Sequence, residues 1–284
     1  MKFPELSAYI KGKLSECGLT EGEASFEMRE MLSYVFGKDP LAILLDDSEV
    51  DSDSLKRIEG ILRERQEGRP LAYITGERNF YGYTFEVNEH TLIPRFETEL
   101  LCETAINKIR ERRYESLLDL CTGSGCIAIT LNLETGIRAD ASDIDGDALL
   151  MAQKNARRLG SAVDFIRSDL FQDITGKYDI IVSNPPYISE KDYNSLDRSV
   201  RDFEPEKALL AGYDGCDFYR RITEQLKGHM NPGGTVMFEI GYDQGNAVSD
   251  MLDKAGFHYI DVIKDYSGFD RIVTGELSDE RDDV

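Results

Sequence analysis

The stretch best equipped for chemistry is Asn184-Pro185-Pro186-Tyr187, which follows the apolar run 180–183. Proline forces the residue before it into an extended conformation, fixes its own φ and lacks an N–H group. We therefore predict that Asn184 and Pro185 lie extended at the tip of a strand, where the Asn184 side-chain oxygen and a nearby carbonyl can accept hydrogen bonds. Two such acceptors beside the Tyr187 ring suit a planar NH2 group, either a carboxamide or the exocyclic amine of a base. The alternative is a strand that ends in a rigid turn.

A glycine turn forms the second candidate site, directly after the short apolar run 117–120. We predict that its residues bind a cofactor; they are Cys121, Thr122, Gly123, Ser124 and Gly125. Glycine allows the backbone to approach a ligand closely. Asp143 ends the next predicted strand, at the position of a carboxylate that binds ribose hydroxyls. Asp169 and Leu170 end the following strand, where a polar edge and an apolar face suit adenine, and Asn184 faces the same cleft.

The glycine turn alone is compatible with either a nicotinamide dinucleotide or S-adenosylmethionine. Two residues favour S-adenosylmethionine: Ala128 stands where the last glycine of the dinucleotide fingerprint belongs, and Asp119 precedes the turn on the predicted strand. A pyrophosphate needs helix N–H groups beside it, and a carboxylate is a poor neighbour for it. A sulfonium cofactor that carries an ammonium group tolerates such acids.

The order of apolar segments predicts an α/β fold. From residue 117 onward, runs typical of strands alternate with helical patterns, which indicates a parallel sheet covered on both faces. Among them are a helix from about Asp217 to Leu226 and a fifth strand that begins at Thr235. The last two predicted strands, 258–263 and 271–274, are joined by a short turn near Gly268 and cannot both be parallel to the others. We therefore predict an antiparallel hairpin at the C-terminal edge. Residues 79–87 predict a short β-hairpin ahead of the sheet.

The first seventy residues predict a helical bundle. One buried helix face is indicated by apolar residues spaced i, i+3, i+4 and i+7, namely Met28, Met31, Leu32 and Val35. Thr20 and Glu23 form a predicted capping box at the start of this helix, and Gly37 is its predicted stop. A second stripe, Leu55, Ile58 and Leu62, predicts another helix that Ser52 or Ser54 begins. The bundle carries no catalytic constellation, and we expect it to dock on the rest of the chain or on a partner.

Composition narrows the class of partner and the cellular environment. The 284 residues carry a formal net charge of −21, with a pI near 4.6. Such a surface is unsuited to tracking a phosphate backbone, so we expect a protein or small-molecule partner and no stable nucleic-acid binding. The five cysteines form no CxxC pair, which indicates reduced thiols in a cytoplasmic protein and no metal site. No signal-peptide core and no membrane-spanning run is recognisable.

Several segments together resemble the release-factor glutamine N5-methyltransferases, the PrmC/HemK family. The resemblance covers nearly the whole chain. It is carried by Arg69-Pro70-Leu71-Ala72-Tyr73-Ile74 with Gly76, Leu92-Ile93-Pro94-Arg95 with Glu97-Thr98-Glu99, the glycine turn, Asp143, Ser168-Asp169, Asn184 to Tyr187, Glu204-Pro205, Ala208-Leu209, Gly212, Gly215, Glu239-Ile240-Gly241 and Gln244. Asn-Pro-Pro-Tyr alone is shared with adenine and cytosine N-methyltransferases, whereas the combination is much more specific. Two departures are Phe96, where the family usually has proline, and Cys121, where glycine is frequent.

The resemblance implies a seven-stranded Rossmann-like class I methyltransferase sheet with an antiparallel C-terminal edge hairpin. It implies four segments: a helical bundle that binds the substrate protein (1–72), a linking β-hairpin (73–94), an S-adenosylmethionine-dependent methyltransferase domain (95–277) and a charged tail (278–284). The implied reaction methylates the glutamine of the Gly-Gly-Gln loop in class-1 peptide chain release factors during translation termination. We expect a monomer that requires no metal.

For this reaction we assign substrate binding to residues 184–187. The Asn184 side chain and the Pro185 carbonyl would accept the two amide N–H groups, Tyr187 would pack on the amide plane, and Pro186 would stiffen the loop. No histidine is expected to act as a base, and Arg95 and Phe96 are expected to cap the cofactor or substrate. Alternatives are methylation of a glutamine in a ribosomal protein, adenine N6-methylation of nucleic acid, a nicotinamide enzyme and a non-catalytic adaptor.

Overall fold

A computed structural model describes residues 1–46 and 48–278. The chain divides into two compact units. The first comprises Met1–Glu77 with Asp197–Phe203, and the second comprises Arg78–Leu196 with the chain from Glu204 onward. The segment boundaries at 72 and 94 stay predictions. All of the predicted charged tail except Ser278 lies outside the described residues.

The described α-helices are α1 (Phe3–Glu16), α2 (Glu21–Phe36), α3 (Pro40–Leu44), α4 (Ser52–Gln66), α5 (Leu71–Thr75), α6 (Phe96–Arg112), α7 (Cys126–Thr135), α8 (Gly146–Leu159), α9 (Glu190–Tyr193), α10 (Arg198–Arg201), α11 (Asp217–Thr223) and α12 (Gly245–Lys254). The described strands are β1 (Glu77–Phe80), β2 (Tyr83–Glu86), β3 (Ser116–Leu120), β4 (Arg138–Asp143), β5 (Val163–Arg167), β6 (Tyr178–Ser183), β7 (Met230–Glu239), β8 (Phe257–Lys264) and β9 (Asp270–Leu277).

The first unit is a helical bundle whose helix ends follow from local chemistry. The Thr20 hydroxyl accepts from the Glu23 N–H group and the Glu23 carboxylate accepts from the Thr20 N–H group, which confirms the capping box. Gly37 ends α2 in the left-handed conformation. α4 begins at Ser52, one of the two predicted starts, and Asp51 caps it: the Asp51 carboxylate accepts from two successive N–H groups. The predicted buried face of α2 is confirmed.

The second unit is built on a seven-stranded sheet in the order β5-β4-β3-β6-β7-β9-β8. Strands β3 to β7 are parallel, and β9 runs antiparallel to both β7 and β8, as the C-terminal hairpin predicted. β3 pairs with β4 on one side and β6 on the other, so the strand order reverses there. In open α/β sheets a ligand binds at the carboxyl ends of the strands beside such a switch point.

Helices cover both faces of the sheet. Alternate residues of a strand point to opposite faces; accordingly, Ile180 and Val182 of β6 belong to one buried apolar cluster and Ile181 to another. The first cluster includes residues of α6, α7 and α8, and the second includes residues of α11 and α12. The five cysteines are free thiols. In the part of the chain that is described, no helix has the length and apolar character to cross a bilayer.

Two predicted boundaries in the second unit differ from the structure. The fifth strand begins at Met230 rather than Thr235: Met230 pairs with Tyr178 of β6, and a register shift that contains the Asn-Pro-Gly-Gly segment separates this pair from the pair Thr235–Ile180. The predicted helix 217–226 ends at Thr223, and a short 3-10 helix, Leu226–His229, follows it. Neither difference changes the carboxyl edge of the sheet, where the candidate residues lie.

Candidate active site

The Asn184 loop leaves β6 at the carboxyl edge of the sheet. The Asn184 side-chain amide donates to the Thr98 hydroxyl at 3.3 Å, and Thr98 is a buried residue in the first turn of α6. Pro185 and Pro186 are buried. The Tyr187 carbonyl accepts from the Gln244 side-chain amide at 3.0 Å, and its ring packs against an apolar cluster that includes Tyr219. The loop is therefore held by residues far away in sequence.

The glycine turn leaves the neighbouring strand β3. Its backbone is left-handed at Cys121 (φ 60°), Gly123 (φ 55°) and Gly125 (φ 81°). The Thr122 N–H group donates to the Ser142 carbonyl of β4 at 2.9 Å. The sequence departure at Cys121 thus falls where a side chain strains the backbone and glycine would not.

Asp143 ties the end of β4 to this turn. One carboxylate oxygen accepts from the Gly123 N–H group at 2.9 Å, and the other accepts from the Asp145 N–H group at the same distance. Burial raises the pKa of Asp143, although these two hydrogen bonds oppose the shift. Each oxygen has a lone pair left for another donor.

Asp119 is completely buried beneath the turn. Its Oδ2 atom accepts from the Thr122 hydroxyl at 2.6 Å and from the Ala128 N–H group at 3.2 Å. Its Oδ1 atom has no hydrogen-bond partner among the described residues. Burial raises the pKa of Asp119 to about 7. A buried acceptor of this kind is costly unless a donor reaches it.

The end of β5 provides the third predicted element. The Asp169 carboxylate forms an ion pair with Arg221 at 2.7 Å. Leu170 is buried and left-handed (φ 52°), and its carbonyl accepts from the Ser168 hydroxyl at 2.7 Å. The Arg221 guanidinium lies 5.9 Å from the centre of the Phe218 ring. A polar and an apolar surface are therefore adjacent here, as predicted.

One cavity of about 300 Å³ joins these elements. Its lining includes most of the predicted residues, namely Cys121, Thr122, Gly123, Ser124, Asp143, Asp169, Leu170, Asn184 and Pro186. Gly125, Pro185 and Tyr187 do not line it. A Cβ atom on Gly125 would lie 2.9 Å from the Ile129 side chain and 3.1 Å from that of Ala152, so this glycine permits close packing of α7 and α8.

The Arg95 loop is fixed by a buried carboxylate. Glu204 pairs with the Arg95 guanidinium at 2.5 Å and accepts from the Ile93 N–H group at 3.2 Å, while its side chain is 1% exposed. Arg95 lines the cavity, as expected of a capping residue, whereas Phe96 is 61% exposed and does not.

Glu239 ends β7 beside Asn184 and is fully buried. Burial raises its pKa to about 7, and a hydrogen bond with the Thr98 side chain opposes the shift. Its Oε2 atom has no partner among the described residues. The Thr98 side chain therefore stands between the Glu239 carboxyl group and the Asn184 amide.

Sequence reasoning missed several cavity residues; they are His90, Leu92, Thr98, Asp145, Lys207, Phe218 and Arg221. His90 lines the cavity, and the expectation that no histidine acts as a base stays a prediction. These residues come from separate helices and loops with no shared local pattern. Within the described residues, no group of three or more His, Cys, Asp or Glu could hold a metal ion.

Comparisons with known proteins agree with this arrangement. The chain matches the Methyltransferase small domain family over residues 97–202 and the PrmC N-terminal domain family over residues 5–76. It is 37% identical over 265 residues to a release factor glutamine methyltransferase of Clostridium acetobutylicum, covering 90% of this chain and 93% of that protein. A protein of the same name from Haemophilus influenzae is 33% identical over 290 residues, covering 97% of this chain and 99% of its own.

Among solved structures, a methyltransferase from Pyrococcus furiosus shares the fold. Its TM-score is 0.53 at 18% identity, and the alignment covers 80% of this chain and all of that one. The sheet order, the carboxyl-edge cavity and relatives that match over nearly their full length lead to one conclusion. The chain belongs to the release factor glutamine methyltransferase family.

Proposed function

We propose that this protein transfers a methyl group from S-adenosylmethionine to the side-chain amide nitrogen (N5) of the glutamine in the Gly-Gly-Gln loop of class-1 peptide chain release factors. The observation that carries the proposal is the Asn184 side chain, which lines the cavity opposite the glycine turn on the adjacent strand. The names of the relatives support the choice of substrate.

The cavity suits S-adenosylmethionine by its chemistry. The free lone pairs of Asp143 can accept ribose hydroxyls, and Leu170 with Asp169 offers an apolar face beside a polar edge for adenine. Residues 121–124 supply backbone groups at the switch point, and Gly125 supports them by packing. Asp119 does not line the cavity, but its buried carboxyl group beneath the turn, with Oδ1 unpartnered among the described residues, favours an ammonium group nearby. When bound, this cofactor supplies an electrophilic methyl group on a sulfonium.

The Thr98 side chain determines which end of the Asn184 amide, the NH2 group or the oxygen, faces it. An ionised Glu239 carboxylate can only accept, so the Thr98 hydroxyl donates to it and its oxygen is left to accept from the Asn184 NH2 group. The Asn184 Oδ1 atom is then free to accept from a substrate carboxamide. We assign the second acceptor to the Pro185 carbonyl and the packing surface to Tyr187; both assignments rest on position in the loop, because neither residue lines the cavity.

The chemical contribution of the loop is orientation and charge stabilisation. An amide nitrogen is a weak nucleophile because its lone pair is delocalised into the carbonyl. Two fixed acceptors align the nitrogen and stabilise the positive charge that develops on its N–H groups. Water takes up the released proton. Pro186 lines the cavity and keeps the loop from rotating, since its φ is fixed.

The remaining assignments concern the cellular role. We infer that residues 1–72 bind the substrate protein, that residues 73–94 link this bundle to a methyltransferase domain at 95–277, and that the enzyme acts as a cytoplasmic monomer in translation termination. The net charge of −21 supports a protein substrate rather than a nucleic acid.

The test is mass spectrometry of purified release factors incubated with enzyme and S-adenosylmethionine. We expect a gain of one methyl group on the Gly-Gly-Gln peptide with the native protein. Asn184→Ala should slow turnover by about 100-fold or more, the effect of removing a transition-state hydrogen bond. Calorimetric cofactor binding separates loss of chemistry from loss of cofactor. Methylation of a ribosomal protein or of DNA in parallel reactions, with release factors unmodified, would reject the proposal.

A further inference from the structure

Four exposed aromatic side chains lie at the same edge of the sheet as the cavity and outside it. We call them the aromatic edge: Phe96, Tyr242, Tyr266 and Phe269. Their exposures are 61%, 66%, 77% and 54% in that order. Large exposed aromatic groups that form a patch mark interaction surfaces more often than isolated ones do.

The rings form two pairs. The centres of Phe96 and Tyr266 are 6.4 Å apart, and those of Tyr242 and Phe269 are 6.1 Å apart. One tight turn joins the pairs, because Asp265 closes it by donating its N–H group to the Phe269 carbonyl at 2.8 Å. The four rings therefore belong to one surface.

Sheet register places this surface at the carboxyl edge. The turn precedes β9, whose Ile272 pairs with Glu239, the last residue of β7. Phe96 begins α6 between Arg95 and Thr98, both of which line the cavity. Thr98 also accepts from Asn184. A polypeptide that inserts a glutamine side chain next to Asn184 would place its flanking residues at this edge, since an extended chain advances about 3.3 Å per residue.

The charge of the aromatic edge selects the partner. Both cations of the turn are already paired: Lys264 with Asp270 at 2.7 Å, and Arg271 with Asp265 at 3.1 Å. Exposed carboxylates adjoin the rings: Glu97 follows Phe96, Asp243 follows Tyr242, and Glu103 accepts from the Tyr266 hydroxyl at 3.1 Å. The surface is thus aromatic and negative, which favours lysine or arginine through cation–π contacts and charge attraction.

We propose that the aromatic edge binds a lysine- or arginine-bearing segment that flanks the methylated glutamine in the protein substrate. The inference rests on the proposed function for the identity of that substrate. A second copy of this chain or a nucleic acid would bring more negative charge to a negative surface, so neither is the expected occupant.

The kinetic test compares paired substitutions. Phe96→Ala with Tyr266→Ala, and Tyr242→Ala with Phe269→Ala, should each raise the KM for the release factor about tenfold. The kcat and the Kd for S-adenosylmethionine should stay within twofold. Tyr259→Ala is the matched control: Tyr259 is 81% exposed on β8, five residues before Lys264 and therefore roughly 16 Å from the turn. Unchanged KM in both double variants would overturn the proposal.

A peptide experiment separates this proposal from the proposed function. Fluorescence anisotropy would follow a labelled peptide with a central glutamine and three lysines on each side, and a second peptide with glutamates in their place. We expect the lysine peptide to bind at least tenfold more tightly, and Glu97→Lys with Asp243→Lys to abolish the preference. Tighter binding of the lysine peptide, without methylation of release factors, would reject only the proposed function. Methylation of release factors without tighter binding of the lysine peptide would reject only the role of the aromatic edge. The same holds if the variant with Glu97→Lys and Asp243→Lys still prefers the lysine peptide.

Discussion

The glycine turn after β3 and the Asn184 loop after β6 leave neighbouring strands at one edge of the sheet, but they are held differently. The turn is shaped by its own backbone, with left-handed residues and hydrogen bonds to the adjacent strand. The loop depends on the side chains of Thr98 in α6 and of Gln244, the residue before α12. The proposed cofactor site is thus encoded largely locally, whereas the proposed substrate site depends on the assembled fold.

The largest expected effect tests whether the turn depends on packing. Gly125→Ala should lower the free energy of unfolding by about 3 kcal/mol, because alanine is strained at this φ and its methyl group overlaps Ile129 and Ala152. Gly123→Ala is the matched control. Nothing lies within 4 Å of a Cβ atom there, so it should cost only about 1 kcal/mol. Urea unfolding measures both, and equal losses would contradict the distinction.

The next effect concerns the buried carboxyl group beneath the loop. The pKa of Glu239 rises on folding to about 7, so the folded state binds more protons than the unfolded state above pH 4.5. Stability therefore falls as pH rises through this window, by up to roughly 3 kcal/mol for this group. Glu239→Gln should remove that slope.

Unfolding free energies of the apo protein at pH 5 and pH 8 check this expectation. We expect the native protein to lose about 2 kcal/mol more than Glu239→Gln between the two pH values. Asp119 also has a raised pKa, but it titrates in both proteins and cancels in the comparison. Parallel pH profiles would show that Glu239 does not titrate in this range.

A smaller effect separates orientation from binding at Asn184. Thr98→Val keeps the shape but removes the hydroxyl that holds the Asn184 amide, at a cost of about 1.4 kcal/mol or tenfold in kcat. The Kd for S-adenosylmethionine should not change. Thr98→Ser restores the hydroxyl and should recover most of the activity. If Thr98→Ser is as slow as Thr98→Val, the hydroxyl alone does not hold the Asn184 amide and the methyl group is required as well.

The smallest expected effect is on the stability of variants at Cys121 in the glycine turn. Cys121 is left-handed, so Cys121→Gly relieves strain while losing side-chain packing, and we expect a net stability change within about 1 kcal/mol. Cys121→Ala loses the packing without relieving the strain. In thermal unfolding, Cys121→Gly should therefore have a higher Tm than Cys121→Ala. The reverse order would show that side-chain packing contributes more to stability at this position than relief of backbone strain.

The comparison between the glycine turn and the Asn184 loop also explains which parts of the molecule could be predicted from sequence. Residues 178–183 and Asp143 were placed correctly because apolar runs and strand ends are local signals. The packing role of Gly125 against Ile129 and Ala152 was not predicted, since a glycine in a sequence does not reveal which neighbour it admits. Thr98 and Glu204 belong to segments that carry the family resemblance, but no local pattern revealed their contacts, because sheet register and long connections bring them to the site.

The position of β9 has a consequence for synthesis on the ribosome. This strand is the last described one, yet it lies inside the sheet between β7 and β8. Until residues 270–277 emerge, the β7 edge that ends in Glu239 has no partner on that side. A nascent chain can form the glycine turn early, but the Asn184 side of its sheet is completed only after residues 270–277 have been synthesised.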